Sequence, residues 1–160
     1  MTALPPTERP ARSDVLAAIV DALEASVGML KASSESAHNE ATNEDTKQES
    51  KYDTRAIEAA YLAGAQSKRM MATGVDLKRY RGVSLEGNGS GRVDEPSVVG
   101  LEHEETGITY YFVGPGAAGL KVDVGPHRVL VITPSSPLGK ALVGCAEDDE
   151  TKFGTVLTVE

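Results

Sequence analysis

Aromatic side chains and cysteine are scarce in this chain of 160 residues. Aromatic residues make up 4% of the sequence, and tryptophan is absent. A ligand pocket lined with aromatic rings, or a platform on which bases stack, is therefore not expected. Cys145 is the only cysteine. A single cysteine excludes an internal disulfide and a zinc site built from several thiolates.

Other signals of a ligand site or a membrane segment are missing as well. The three histidines match no metal-ligand spacing and are interpreted as surface residues: His38, His103 and His127. The sequence contains no secretory leader pattern and no long apolar run, which predicts a cytoplasmic protein that binds no membrane. The net charge of −8 argues against a nucleic-acid-binding surface over the whole protein.

The first half of the chain has the pattern of two helices. Residues 1–12 contain three prolines and are predicted to be a disordered tail. Ser13 then offers an N-cap, and apolar residues follow at alternating spacings of four and three: Leu16, Val20, Leu23, Val27 and Leu30. A second, alanine-rich helix starts near Asp53 or Thr54, with Gly74 as a candidate end. We therefore predict an antiparallel coiled-coil hairpin over residues 13–78.

The second half of the chain has the pattern of a small sheet. Residues 79–96 include the stretch GVSLEGNGSGRVDEP (82–96), which is rich in glycine, serine and asparagine, and predict a linker. Residues 97–160 alternate β-branched runs with turn residues. Between two of these runs, Ser135 or Ser136 can cap a short helix that Pro137 begins and Gly144 ends. The predicted fold class is α+β, with an antiparallel sheet that carries one short helix.

The segment VGPGAAGL contains three glycines in the spacing of a dinucleotide-binding loop: Gly114, Gly116 and Gly119. Such a loop needs a helix directly after it, so that the amides of the helix N-terminus face the pyrophosphate. Here the alternating sequence LKVDV follows, which predicts a strand. The glycines are therefore interpreted as a hairpin loop.

Two charged segments have an ordinary interpretation and a functional one. Residues 38–53, at the predicted hairpin tip, hold five acids and two lysines. These acids are either simply solvated or placed to hold a divalent metal such as Mg²⁺ in a partner's buried site. Near the end of the second helix, the basic residues either complement the helix dipole or contact RNA or an acidic partner: Lys68, Arg69, Lys78, Arg79 and Arg81.

Two segments resemble the Gre-factor family of bacterial transcription elongation factors. Residues 45–66, DTKQESKYDTRAIEAAYLAGAQ, resemble the family's tip and the start of its second helix. Residues 133–150, TPSSPLGKALVGCAEDDE, are similar to its S-P-[LI]-G-[RK]-A-L segment and the residues after it. YYFVGP, residues 110–115, resembles the strand and turn that precede that segment. The resemblance extends over residues 14–160.

The resemblance implies a fold and a function. Family members pair an N-terminal coiled-coil hairpin with a C-terminal FKBP-like domain, here residues 97–160. The hairpin enters the secondary channel of bacterial RNA polymerase, and its acidic tip helps the polymerase cleave the 3′ end of backtracked nascent RNA. The protein would thus not be an enzyme on its own and would have no cofactor of its own, sharing Mg²⁺ with the polymerase. A cytoplasmic monomer is expected.

Residue by residue, the resemblance assigns three sets of candidates. Asp45 matches the family's tip aspartate, and Gln48 stands where the family has a glutamate. The tip acids would then be Asp45, Glu49 and Glu44, with Asp45 and Glu49 as metal ligands. The polymerase-binding residues would be Ser136, Pro137, Leu138, Gly139 and Lys140. Lys68 and Arg69 would contact RNA.

Several functions stay open at this point. Because the amide of Gln48 carries no charge, the family's cleavage activity competes with that of a non-cleaving regulator or inhibitor of RNA polymerase. A prolyl isomerase of the FKBP type is a remote alternative, since it requires clustered aromatic residues. A coiled-coil adaptor without tip chemistry is a third possibility. Cys145 is interpreted as a structural thiol whose pKa is raised by the acids that follow it.

Overall fold

A computed structural model of the chain describes residues 9–42, 54–86 and 90–160. Within these residues the fold is α+β, with three helices and a mixed sheet of six strands. The helices are α1 (Arg12–Thr42), α2 (Thr54–Arg81) and α3 (Pro137–Leu142). The strands are β1 (Ser97–His103), β2 (Gly107–Val113), β3 (Lys121–Val124), β4 (His127–Ile132), β5 (Glu150–Thr151) and β6 (Gly154–Val159).

The chain divides into two compact units. The sheet unit contains the residues up to Ala22 together with Lys78–Glu160, and the helical unit contains Leu23–Leu77. The predicted strands and the short helix between them are confirmed. The coiled-coil hairpin stays a prediction. No helix in the described part of the chain combines the length and the apolar character needed to cross a membrane.

The sheet is mixed, so the prediction of an antiparallel sheet is wrong. Its strand order is β3-β4-β2-β1-β6-β5. β4 lies parallel to β2, with Tyr110 opposite Val129, and the other pairings are antiparallel. The reason is the position of β3 at the edge of the sheet. After β3 the chain turns back and β4 inserts between β3 and β2, which gives β4 the direction of β2.

The central strands β1, β2 and β4 contain runs that are buried on both faces of the sheet, which explains why these runs are apolar. One face carries the main cluster of buried residues: Val93, Val99, Leu101, Tyr111, Val113, Ile132, Leu142 and Val156. On the other face, alternate strand positions are equally buried, among them Val98, Phe112, Val129 and Val131. Successive residues of a strand point to opposite faces of the sheet. Because both faces are buried here, the central strands have no exposed polar side.

Tyr80, in the last turn of α2, packs against the second face of the sheet. Its ring centroid lies 6.1 Å from that of Phe112, and its hydroxyl donates a hydrogen bond of 2.7 Å to the carbonyl oxygen of Gly116. A Cβ atom at Gly114 would overlap the Tyr80 hydroxyl. The absence of a side chain at Gly114 thus leaves room for the Tyr80 side chain. The strand β3 follows the glycine loop, as predicted.

The start of α1 differs from the predicted seam. Val15 and Ile19 are fully buried, whereas Leu16 and Val20 are only half-buried. These four residues belong to the sheet unit. Burial in that unit, rather than a heptad seam, therefore determines which side of the first turns is covered. Leu23, the next apolar residue of that series, is buried.

The predicted tail and linker both contain ordered contacts. Pro10 is buried, and the Arg9 guanidinium lies 3.6 Å from the Glu160 carboxylate. The Arg12 guanidinium donates a hydrogen bond of 2.7 Å to the carbonyl oxygen of Leu85 and a longer one to that of Pro96. One side chain at the start of α1 therefore holds both ends of the segment between α2 and β1.

We expect the Tyr80 hydroxyl to stabilise the sheet unit measurably. Tyr80→Phe keeps the ring but leaves the buried Gly116 carbonyl without its donor, so the free energy of unfolding should fall by about 1–2 kcal/mol. Tyr111→Phe is the comparison variant, because the contact between the Tyr111 hydroxyl and the His103 ring is longer, at 3.3 Å. Urea denaturation followed by circular dichroism measures both. Equal losses in the two variants would contradict the assigned role of Tyr80.

Candidate functional site

The candidate site is a capped turn, residues 133–140, which leads from β4 into α3. Ser136 has extended backbone angles and is the N-cap of α3, and Pro137 occupies the first turn. The Ser136 hydroxyl accepts a 3.0 Å hydrogen bond from the Gly139 amide and donates one of 2.7 Å to the carbonyl oxygen of Thr133. A cap of this kind satisfies an otherwise unpaired amide of the helix N-terminus. The predicted cap is confirmed.

Gly139 is required by a close approach of two backbone segments. It is buried in the first turns of α3, and a Cβ atom there would overlap the carbonyl oxygen of Thr133. The Thr133 carbonyl oxygen already accepts hydrogen bonds from the Ser136 hydroxyl and the Ser136 amide, and these two bonds hold the turn together. The turn is therefore fixed by its backbone as well as by its cap.

Two leucines attach α3 to the sheet. Leu142 is fully buried in the main cluster, and Leu138 packs against that cluster while half-buried. Pro137 and Lys140 occupy the other side of the short helix and are exposed. Lys140 has no ion-pair partner among the described residues. The capped turn thus presents one ring and one free cation on a rigid support.

The exit of α3 is held by residues from the predicted linker. Gly144 has a φ of 88° and follows the end of the helix, as predicted. Its amide donates to the carbonyl oxygen of Val93, the Val93 amide donates to that of Cys145, and the Arg92 guanidinium donates to that of Gly144. Sequence reasoning missed Arg92 and Val93, because these bonds are made to backbone amides and carbonyls of a segment that is distant in the chain, and such bonds leave no side-chain pattern.

Cys145 lies just after this exit and is half-buried. Its thiol donates to the carbonyl oxygen of Ala141 at 3.2 Å. Burial raises the pKa of the Cys145 thiol, the Asp149 carboxylate raises it further, and the Arg92 guanidinium acts in the opposite direction. The predicted direction of the shift is confirmed, although burial rather than charge is its main cause. The thiol is therefore kept protonated, as suits a structural role.

The tip acids Asp45, Glu49 and Glu44, like Gln48, lie outside the described residues. Their predicted role as metal ligands therefore stays a prediction. Within the described ranges, no group of three or more histidine, cysteine or acidic side chains is positioned to hold a metal ion.

Lys68 and Arg69 lie in the middle of α2 and are exposed. Because α2 continues past Gly74 to Arg81, they precede its end by about three turns. The dipole of a helix acts mainly on charges in its last turn, where the basic residues are Lys78, Arg79 and Arg81. The dipole interpretation therefore applies to the last turn and leaves Lys68 and Arg69 without a structural explanation.

The aromatic residues of the sheet do not meet in a pocket of the FKBP type. Tyr111 belongs to the main cluster, while the neighbouring Tyr110 contacts His127 and Phe112 contacts Tyr80 on the other face. Phe112 is fully buried. A prolyl isomerase needs several aromatic rings around one cavity, so this arrangement disfavours that alternative.

No family model and no curated protein matches the sequence. Among solved structures, the chain aligns with Gfh1 of Thermus aquaticus at 21% identity, over 88% of this chain and 92% of that one, with a TM-score of 0.36. GreA factor homolog 1 (Gfh1) of Thermus thermophilus aligns at 22% identity, over 88% and 94% of the two chains, with a TM-score of 0.37. These TM-scores describe a loose superposition, from which we assign no function to this chain.

We expect Gly139→Ala to destabilise the sheet unit. The added Cβ must displace the Thr133 carbonyl, so the free energy of unfolding should fall by about 1–3 kcal/mol. Gly82→Ala is the control in the same unit, because a Cβ at Gly82 makes only ordinary contacts at 3.5 Å. The control should change stability by less than about 0.5 kcal/mol in urea denaturation. If both variants unfold at the wild-type urea concentration, the close approach at Gly139 is not a constraint.

We expect Cys145 to react slowly with alkylating reagents at about pH 8, because its raised pKa leaves little thiolate. Asp149→Asn should shift the pH midpoint of iodoacetamide alkylation downward, since it removes a nearby negative charge. Arg92→Gln should shift it upward. Since the folded-state pKa is the higher one, the stability that the protonated thiol contributes is present at lower pH. It is lost as pH rises through that pKa.

The control for this experiment is Asp148→Asn, which removes the charge of the adjacent carboxylate. Asparagine, like aspartate, tolerates the φ of 72° at this position. Alkylation of the urea-unfolded protein gives the reference midpoint. A folded-state midpoint at or below that reference would contradict the assigned environment of the thiol.

Proposed function

We propose that this chain binds bacterial RNA polymerase through its capped turn and acts as a transcription factor of the Gre type. The observation that supports this proposal is the capped turn itself. The segment with the more specific resemblance, S-P-L-G-K, forms a rigid element whose exposed side chains are Pro137 and Lys140. A rigid surface loses little conformational entropy when a partner binds, which favours its use as a docking element.

Lys140 would supply the charge of the contact. It is exposed and has no ion-pair partner among the described residues, so a partner's carboxylate can pair with it without breaking an existing bond. Pro137 beside it offers a rigid apolar ring. The partner surface would therefore carry an acidic group next to an apolar patch.

The chemical step is assigned to the acids of residues 38–53. Asp45 and Glu49, with Glu44 beside them, would place carboxylate oxygens in the active centre of the polymerase. Carboxylate oxygens are the ligands that Mg²⁺ takes from proteins, so the donor set fits a shared metal. The polymerase would then cleave the 3′ end of backtracked RNA, while this chain supplies only charge and position.

Lys68 and Arg69 would contact the RNA within the same complex. They are exposed cations on the middle of a helix, and the helix dipole does not account for them. Exposed cations of this kind bind the phosphate backbone of a nucleic acid without reading its sequence. We propose that the chain is a cytoplasmic monomer when free.

A non-cleaving regulator of RNA polymerase is the second candidate. The observation that favours it is Gln48, a neutral amide at the position where the family has a glutamate. An amide does not supply the negative charge that holds a metal. A protein of this kind would bind the polymerase through the same capped turn and block or alter its secondary channel.

Binding and cleavage test the proposal separately. We expect the chain to bind purified bacterial RNA polymerase, and Lys140→Glu to weaken that binding about tenfold, because it places like charges opposite each other. Lys152→Glu is the matched control, since it reverses another exposed lysine of the sheet unit. With stalled elongation complexes, we expect the wild type to stimulate RNA cleavage, and Asp45→Asn and Glu49→Gln to abolish cleavage while binding is retained.

The possible outcomes separate the two candidates. If the wild type binds but stimulates no cleavage, the non-cleaving regulator is correct. If cleavage occurs and survives both tip substitutions, the assignment of the tip acids is wrong. If no binding occurs, or if Lys152→Glu weakens it as much as Lys140→Glu, the capped turn is not the docking element.

A further inference from the structure

Val143, directly after α3, is a large apolar side chain on the surface of the sheet unit. Its exposed fraction is 40%. The other exposed large apolar side chains of the described residues belong to the helical unit: Met29, Leu62, Met71 and Val75. A single exposed valine needs no explanation by itself. Its neighbours on α3 decide whether it belongs to a larger surface.

Val143 lies on the same side of α3 as Pro137 and Lys140. Its amide donates a 2.9 Å hydrogen bond to the carbonyl oxygen of Gly139, so the helical spacing extends to Val143. Side chains three residues apart on a helix are neighbours, which places Lys140 between Pro137 and Val143. All three are exposed, whereas Leu142 on the opposite side is buried. The capped turn thus continues into a stripe in which one cation separates two apolar side chains.

Arg92 adds a second cation from a distant segment of the chain. Its Nη1 donates a 2.9 Å hydrogen bond to the carbonyl oxygen of Gly144, the residue after Val143. The Arg92 backbone pairs with Ala146 in an isolated bridge, so both ends of the side chain are anchored. Arg92 is exposed and has no ion-pair partner among the described residues. A guanidinium carries several N–H donors, and the bond to Gly144 uses one of them.

The charges around Val143 restrict the kind of partner that fits. Lys140 lies one turn before it, and the Arg92 guanidinium is bound one residue after it. The residues that follow Ala146 are acidic and exposed: Glu147, Asp148, Asp149 and Glu150. These acids repel a partner that is acidic over a long stretch. The complementary surface therefore has two separate carboxylates with an apolar side chain between them.

We propose that Val143 and Arg92 belong to the docking surface of the capped turn and determine which partner that surface accepts. The partner places an apolar side chain against Val143, one carboxylate on Lys140 and a second carboxylate on Arg92. This inference rests on the proposed function, in which the partner is RNA polymerase. It goes beyond that function by adding an apolar contact and a second ion pair.

Both added residues are ordered before a partner arrives. The β-branched side chain of Val143 has few rotamers, and the Gly144 carbonyl holds the Arg92 guanidinium. Binding therefore costs little conformational entropy at these positions. The apolar contact is needed as well, because exposed ion pairs alone contribute little. Water that is excluded from Val143 strengthens the ion pairs on either side of it, since charges interact more strongly at a lower effective dielectric.

The test measures binding of the full chain to purified bacterial RNA polymerase at low and at high ionic strength. Val143→Ala should raise the Kd about two- to fivefold at both ionic strengths, since it removes apolar contact. Arg92→Gln should raise the Kd about two- to fivefold at low ionic strength and less at high ionic strength, because salt screens an exposed ion pair. Arg92→Lys keeps the charge and should retain part of the affinity.

Val124→Ala and Arg128→Gln are the matched controls in the sheet unit. Val124 is a half-buried valine at the end of β3, and Arg128 is an exposed arginine at the end of β4 that is remote from α3. Both variants should bind the polymerase as the wild type does. Urea denaturation of each variant separates a loss of binding from a loss of fold.

The results separate this inference from the proposed function. If Lys140→Glu weakens binding while Val143→Ala and Arg92→Gln bind like the controls, the docking surface ends at Lys140 and this inference is wrong. If the chain does not bind the polymerase, or if Lys140→Glu binds like the wild type, the proposed function fails and this inference fails with it. An effect of Arg92→Gln that is equal at both ionic strengths would contradict the second ion pair.

Discussion

The central strands of the sheet are covered on both faces, and this constraint determines where polar groups can lie in the sheet unit. Leu142 from α3 packs on one face, and Tyr80 from the end of α2 packs against Phe112 on the other. Central strands that are buried twice must be apolar throughout, so polar chemistry is confined to strand ends, turns and edges. The capped turn lies at such a place.

The features that could be predicted from the sequence are those with a local cause. Ser136 caps α3, Pro137 begins it and Gly144 follows its end, and each of these preferences acts within one turn of chain. The strands follow from β-branched runs between turn residues. The parallel pairing of β2 with β4 has no such cause, because it depends on which side of β4 the edge strand β3 occupies.

Burial within the sheet unit also overrides the periodicity of α1. A regular spacing of apolar residues predicts a seam through Leu16 and Val20, yet Val15 and Ile19 are the fully buried residues. The spacing of apolar residues takes account of one helix only. Which side of these first turns is buried depends on the packing inside the sheet unit to which they belong.

The capped turn shows how a motif divides between folding and binding. Within S-P-L-G-K, the Ser136 hydroxyl is used for the cap, Leu138 packs on the main cluster, and Gly139 allows the backbone to approach Thr133. In this chain, these three residues build the turn, whatever the turn binds. Only Pro137 and Lys140 are exposed, so within the motif these are the two side chains that a partner could contact. An experiment on binding must therefore change Lys140, since a change at Gly139 would test the fold instead.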